Sequence, residues 1–472
     1  MAYDDLRHYL RALDAAGKLH HIKRAVDKDW EVSAVGKRVF QRIPDEKRPA
    51  LLFENVKGYS IPIAAGVLGA SRAVYAMALS AEPQQIMERW EQALRNPIPP
   101  EIVDSGPCKE NILTGDAVDL GKFPVPVWTV GEDPGPYLTA PQVCSIDPET
   151  KQRNVGTYRV QIKGKNRTGL WVGETQNMQL HLRKYEARGE RVPVAVVLGT
   201  EPCIGLCSVA KVPVRQDEFA VAGGLRGKPL QLVRCETVPL QVPAHAEIVI
   251  EGWIDPAFRE EEGPFGEYTG YMGPPGASHV IEVSCITHRN EPIYHAFISQ
   301  MPPSESSTIR GFGREMGIYK HLRQELGLQV RDVHLKHSGG SAAFLAISMK
   351  KDYDGQARQA MWGAWAIEPS LGKITVIVDD DIDVRDTFQL EWAMSFRMQP
   401  ERDVYVARDT VAVRLDPSIG DLDVRQDAKQ KMLGSKVGID ATKKHRYPPV
   451  SLPPKAHMER VDEVWEGYGF SD

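Results

Sequence analysis

The sequence predicts a multidomain α/β protein with an N-terminal α/β domain, a strand-rich middle and a C-terminal return to α/β alternation. Three observations lead there. At 472 residues the chain outgrows a single hydrophobic core. Between about residues 127 and 299, short strand patterns separated by turns follow one another. In the last third, Ala343-Phe344-Leu345-Ala346-Ile347 and Ile374-Thr375-Val376-Ile377-Val378 are apolar runs typical of strands buried on both faces.

Taken in order, Leu6, Leu10 and Leu13 recur at helical spacing behind Asp4 and Asp5, acids that suit a helix N-terminus, and Gly17 supplies the stop. Residues 49–53 are a short buried strand entering a turn at 55–58, and 83–94 a helix with Pro83 at its start. Pro97, Pro99, Pro100, Pro107 and Pro124 punctuate the next stretch too often for a long regular element, so a domain change belongs there. The expected domains are 1–115, 116–310 and 311–472. In the middle one, 192–198, 232–235, 246–250 and 279–286 read as strands, and 179–187 as the helical exception. In the last, residues 388–394 supply a covering helix. Asp379, Asp380, Asp381 and Asp383 read as a helix cap and solvated loop rather than a metal site. The glycine-rich segment 311–317 misses the dinucleotide fingerprint and follows no buried strand, so it is not a phosphate loop.

Composition narrows the function. An apolar fraction of 42% and a net charge of -5 exclude a disordered chain and an extended nucleic-acid footprint. The six cysteines form no C-x-x-C pair, and Cys203 and Cys207 read as buried thiols. The opening Met1-Ala2-Tyr3-Asp4-Asp5 has no basic-then-apolar pattern, and no apolar run approaches membrane-spanning length. A cytoplasmic location without a membrane partner is the expectation.

Three segments carry the chemistry. In residues 260–270, an acidic run meets a glycine-rich turn, and Glu267 follows Glu262 by five positions, with Gly263, Pro264 and Gly266 shaping the backbone between them. Asn154-Val155-Gly156-Thr157-Tyr158-Arg159 is the second segment. The third is Pro243-Ala244-His245-Ala246-Glu247-Ile248-Val249-Ile250-Glu251-Gly252. Together they resemble the UbiD family of reversible decarboxylases, whose cofactor is prenylated flavin mononucleotide. The resemblance covers nearly the whole chain and is strongest over 154–270 and again around 434–441.

The resemblance implies a split-barrel flavin-binding middle domain related to flavin reductases. It implies a catalytic network of Arg159, Glu262 and Glu267, in which Glu267 protonates the carbon that loses carbon dioxide while Arg159 and Glu262 tune it. Two adjacent acids raise one pKa, and an arginine fork holds the other down, which permits acid and base chemistry near neutral pH. It also implies a manganese ion on the flavin phosphate, held by Asn154, Glu247 and a histidine, with K+ as a further cation. The histidine position falls on Gln176, a weaker ligand than imidazole, so Gln176 substitutes, or Asn177 or His181 shifts into reach, or metal affinity is reduced. Thr157, Tyr158, Ser208 and Val209 are expected beside the cofactor, the last two within 207–213, and Lys436 at its phosphate. The substrate is an aromatic, heteroaromatic or conjugated carboxylic acid, with carbon dioxide as co-product and a flavin prenyltransferase as cofactor supplier. Tyr294, His295 and Phe297, or His337, are candidate pocket walls. A homodimer or larger homo-oligomer is expected. The competing readings are a flavin-dependent oxidoreductase on the same domain and a non-catalytic flavoprotein subunit.

Overall fold

The structure is a computed structural model that describes residues 3–173, 176–210, 212–213, 216–413, 415–420 and 433–470. The N-terminal region opens with helix α1 (Leu6–Ala15), where Asp5 caps the helix through its side chain and Leu6, Leu10 and Leu13 turn inward as their spacing requires. Strands β1 (Leu19–Ile22), β2 (Ala50–Phe53) and β3 (Ile63–Ala65) form a mixed sheet. Its fourth strand, Tyr294–Ala296, comes from far along the chain and pairs parallel to β3. Helix α2 (Ile86–Arg95) follows a short turn begun by Pro83.

The middle region is a nine-stranded antiparallel sheet. Its strands are β4 (Asn111–Thr114), β5 (Tyr137–Leu138), β6 (Gln142–Ile146), β7 (Arg153–Thr157), β8 (Val160–Ile162), β9 (Arg167–Leu170), β10 (Val192–Leu198), β11 (Ile248–Glu262) and β12 (Gly276–His288). They pair in the order β5-β8-β9-β12-β11-β10-β6-β7, with β4 added beside β12. Helices α3 (Asn177–Arg188), α4 (Pro202–Val209) and α5 (Glu218–Arg226) accompany this sheet. Every residue of β10 is buried, as its uninterrupted apolar run requires.

The pairing order dictates the shape. β7 ends the path and β8 lies next to its other end, yet only Tyr158 and Arg159 join them. So short a link spans on the order of 10 Å, so the sheet must curl until its ends approach. Among the described residues no ladder joins β7 to β8. The result is a barrel split along one seam, and Arg159 stands in it.

The C-terminal region begins with α6 (Glu305–Lys320). Its mixed sheet has the order β13-β14-β15-β17-β16, built from β13 (Gln329–Leu335), β14 (Phe344–Lys350), β15 (Ile374–Asp379), β16 (Val404–Val411) and β17 (Leu433–Ala441). Helix α7 (Thr387–Arg397) covers one face. The N-terminal and middle regions share one hydrophobic core, whereas this sheet carries separate clusters. Helix α6 joins them, giving Ile309 and Phe312 to the first and Ile318 to the second.

One sequence expectation changes. The strand expected from residue 246 begins at Ile248, which leaves Glu247 in the turn before it. The segment from Cys207 is helical to Val209, because Pro202 starts a helix there, and Lys211 lies outside the described residues. The acidic tip after β15 is neutralised by Arg397 and Lys443, and its helix is capped by Asp386. No described helix is long and apolar enough to cross a membrane.

Candidate active site

The seam brings the arginine and both acids of the motif together. Arg159 Nε and Nη2 donate to the two oxygens of Glu262 over 2.9 and 2.8 Å, a bidentate fork, and Nη1 donates to Glu267 Oε1 over 2.6 Å. Glu262 is the last residue of β11, with its side chain fully enclosed. Gly263 then turns the chain at φ 89°, a left-handed conformation that favours glycine, and its N–H donates to the Tyr137 hydroxyl. A two-residue ladder between Phe265–Gly266 and Met272–Gly273 closes the loop. The rings of Trp171 and Phe265 lie 5.2 and 5.3 Å from the guanidinium and wall the network.

Burial raises the Glu267 carboxyl above the ordinary glutamate range, against the opposing pull of Arg159 and Arg310. Burial also works against the charged Arg159, but Glu267 and Glu262 together hold its pKa above the usual arginine value. The site therefore pairs a permanently charged fork with an acid that keeps its proton to higher pH than a free glutamate.

A second polar cluster lies on β7. Asn154 is buried and its amide donates to the Tyr158 hydroxyl over 3.3 Å. That hydroxyl also accepts from the Met178 backbone N–H, in the first turn of α3, so Asn154 and the N-cap residue Gln176 belong to one neighbourhood. Gly156 has no side chain because the Tyr158 hydroxyl occupies its place, 2.4 Å from where a Cβ would stand. Thr157 Oγ1 and Ser208 Oγ share a hydrogen bond of 2.8 Å beside the end of α4, where Val209 is the last helical residue. Gln176 Oε1 accepts from Gly173 N–H over 2.5 Å, which folds the side chain back on its own turn. His181 is buried and meets Ser145, the cross-strand neighbour of Asn154, over 3.0 Å; burial lowers its pKa.

The sequence reading missed Glu218. It opens α5 and accepts from Val155 N–H over 3.2 Å, which sets a buried carboxyl against the backbone of the residue after Asn154. Burial pushes it up to about 7. An amide oxygen and a carboxylate suit a hard divalent ion. Among the described residues no three His, Cys, Asp or Glu side chains converge on an ion site, so further donors would have to be amides and a ligand phosphate.

Glu247 is not part of that cluster. Arg7 clamps both its oxygens at 2.8 Å, Ile293 N–H donates to it, and Arg289 approaches to 3.4 Å. Asn154 pairs with Ser145, one position beyond the Cys144–Ala195 pair, whereas Glu247 lies outside the Leu198–Ile248 pair at the other end of β10. The offset along the strands alone is roughly 16 Å at about 3.3 Å per residue, too far for one ion bound at about 2.1 Å. Its buried position in the motif reflects an ion pair with the N-terminal helix.

Lys436 lies on β17, enclosed, with Nζ donating to the Leu371 carbonyl and Trp365 at 5.8 Å. Burial pushes it down to about 8. It borders a cleft of about 230 Å³ lined by Ser370, Lys373, Asp416, Ser418 and Ser435. With no carboxylate partner among the described residues, an enclosed ammonium of this kind fits an anionic ligand. Of the candidate pocket walls, Tyr294 and Phe297 belong to the core, and His295 is enclosed beside Phe297 with neither ring nitrogen bonded among the described residues. His337 faces Asp45 at 4.0 Å, at the junction with the N-terminal region.

Residues 10–94, 101–302 and 307–441 match the family models described as the N-terminal, Rift-related and C-terminal domains of 3-octaprenyl-4-hydroxybenzoate carboxy-lyase, UbiD. The UbiD-class enzyme HmfF from Pelotomaculum thermopropionicum, solved in complex with FMN, is 35% identical over 97% of this chain and 99% of its own, with a TM-score of 0.87. An evolved dimeric form of HmfF in complex with prFMN is 34% identical, covers 95% and 97%, and has a TM-score of 0.83. The 3,4-dihydroxybenzoic acid decarboxylase AroY of Klebsiella pneumoniae is 26% identical over 97% and 99%, with a TM-score of 0.86.

Proposed function

The chain belongs to the UbiD family of carboxy-lyases, and from that premise we propose that it decarboxylates an aromatic or heteroaromatic carboxylic acid, reversibly, with prenylated FMN as cofactor. The observation that carries this reading is the Arg159–Glu262–Glu267 network in the barrel seam. Hydride transfer by a flavin oxidoreductase does not call for an Arg–Glu–Glu network, so the intact network counts against that reading. The prFMN complex of HmfF supports the cofactor, and AroY supports an aromatic acid as substrate.

When bound, the prenylated flavin supplies an electron sink for the pair left behind by departing carbon dioxide. The chain's own residues do the rest. Asn154 and Glu218 would hold a manganese ion whose charge helps bind the flavin phosphate, with Gln176 close by at the start of α3, and Lys436 would add positive charge from the C-terminal sheet. Thr157 and Ser208 line the approach. Arg159 fixes Glu267 and keeps Glu262 turned toward the guanidinium, while Trp171 and Phe265 exclude water. Glu267 gives its proton to the carbon that has lost the carboxyl group, and takes it back when the reaction runs as carboxylation.

The test is co-expression with a flavin prenyltransferase, mass spectrometry of the released cofactor, and carbon dioxide release from a panel of benzoic, heteroaromatic and acrylic acids. Prenylated flavin and turnover of an aromatic acid are expected. Folded protein without prenylated flavin would sink the proposal.

A further inference from the structure

Arg310, on the second turn of α6, sits outside the network yet bears on it. Its guanidinium lies 3.7 Å over the ring of Tyr268, the residue directly after Glu267. Nη2 donates to the Gly340 carbonyl over 2.8 Å. Gly340 presses on the same tyrosine from the C-terminal domain: it adopts φ 62°, and a Cβ there would come 2.3 Å from the Tyr268 carbonyl oxygen. Tyr268 is thus pinned between a cation and a glycine turn. The Arg310 Nε–H, shut away from solvent, has no acceptor among the described residues.

We infer that Arg310 is a positioning residue for the proton donor: clamped on Tyr268, it fixes where the Glu267 loop stands and, through its charge, sets how readily Glu267 releases its proton. The charged groups that act on Glu267 are Arg159 from the seam, Arg310 from α6 and Glu262 from the end of β11. Tyr268 in turn feels the charges of Arg310, Arg314, Glu267 and Asp416. Arg159 is committed to two carboxylates, whereas Arg310 has no carboxylate bonded to it among the described residues. The arrangement couples α6 and the Gly340 turn, both matched by the C-terminal family model, to the acid of the middle domain.

The inference rests on the proton-donor reading of Glu267, but its first test needs no turnover. Carboxyl titration of the full-length holoenzyme is followed by infrared difference spectroscopy, with the Glu267 band assigned by its loss in Glu267→Gln. In Arg310→Met the midpoint of that band should rise by at least about half a pH unit. In Arg310→Lys, which keeps the charge, it should move by less than about half of that shift. If Arg310→Met does not fold, Arg310→Gln serves in its place. An unmoved midpoint in the neutral variant overturns the inference, and so does an equal shift in Arg310→Lys. If the midpoint shifts as expected while Glu267→Gln holoenzyme turns over normally, the inference about Arg310 stands and the proton-donor reading fails.

Discussion

Arg159 and Glu267 meet at 2.6 Å across the seam of a split barrel, with the acid held above its ordinary pKa by burial and pulled down by the guanidinium. Replacing Glu267 with Gln keeps the shape and removes the transferable proton. Cofactor and substrate should still bind, while turnover and solvent-deuterium incorporation at the former carboxyl-bearing carbon fall by at least roughly 10²-fold. Near-normal rates in the holoenzyme would exclude Glu267 as the donor.

The same relationship predicts a pH dependence. A proton donor works only while protonated, so kcat should be sustained below the Glu267 pKa and fall as pH rises through it. Because that pKa is raised, the alkaline limb should lie above the usual glutamate range. A limb at an unperturbed glutamate position would contradict the environment described for this acid.

Glu218 and Glu247 should separate cleanly. Glu218→Gln should lower bound manganese, read by elemental analysis after dialysis, with little loss of fold. Glu247→Gln should retain the metal but leave Arg7 and Arg289 facing a neutral amide, and cost about 3 kcal/mol in denaturant unfolding, the lower range for breaking an enclosed ion pair. Metal loss in Glu247→Gln alone would reverse the assignment.

Gln176→His introduces a stronger ligand at the start of α3. Metal retention through dialysis should increase, because imidazole would no longer be tied to Gly173 as the glutamine oxygen is. Unchanged affinity would place the third ligand elsewhere.

Gly156→Ala should be costly although alanine is small. Its Cβ would collide with the Tyr158 hydroxyl, and moving that ring breaks its contacts with Asn154 and the α3 N-terminus. A loss of about 1–3 kcal/mol is expected, with flavin content falling in parallel. Full cofactor retention would show that Tyr158 does not organise the site.

Arg159, Glu262 and Glu267 were legible because two short windows resemble the family's motifs, and the structure brings the three side chains together. Strand β10 was legible from its own uninterrupted apolar run. Glu218 was not: Asp217-Glu218 ahead of an apolar helix reads as an ordinary acidic start, and only the cross-chain bond to Val155 distinguishes it. The available signal was the buried character of Phe219, Val221 and Ala222 immediately after it. Glu247 misled in the opposite way. Its apolar flanks do signal burial, but its partner, Arg7, lies near the other end of the chain. Local patterns reveal that a charge is enclosed; they do not reveal by whom.

The parallel pairing of β3 with Tyr294–Ala296 also bears on how the protein is made. As the chain leaves the ribosome, Ile63–Ala65 emerges early and its outer neighbour only after the whole middle domain has been synthesised. Until then the first sheet carries a bare apolar edge, open to pairing with any strand nearby. Products of premature termination within the middle domain would keep that edge permanently, so they should aggregate even where their own strands are complete. The first region of the chain to be translated is therefore among the last to finish folding.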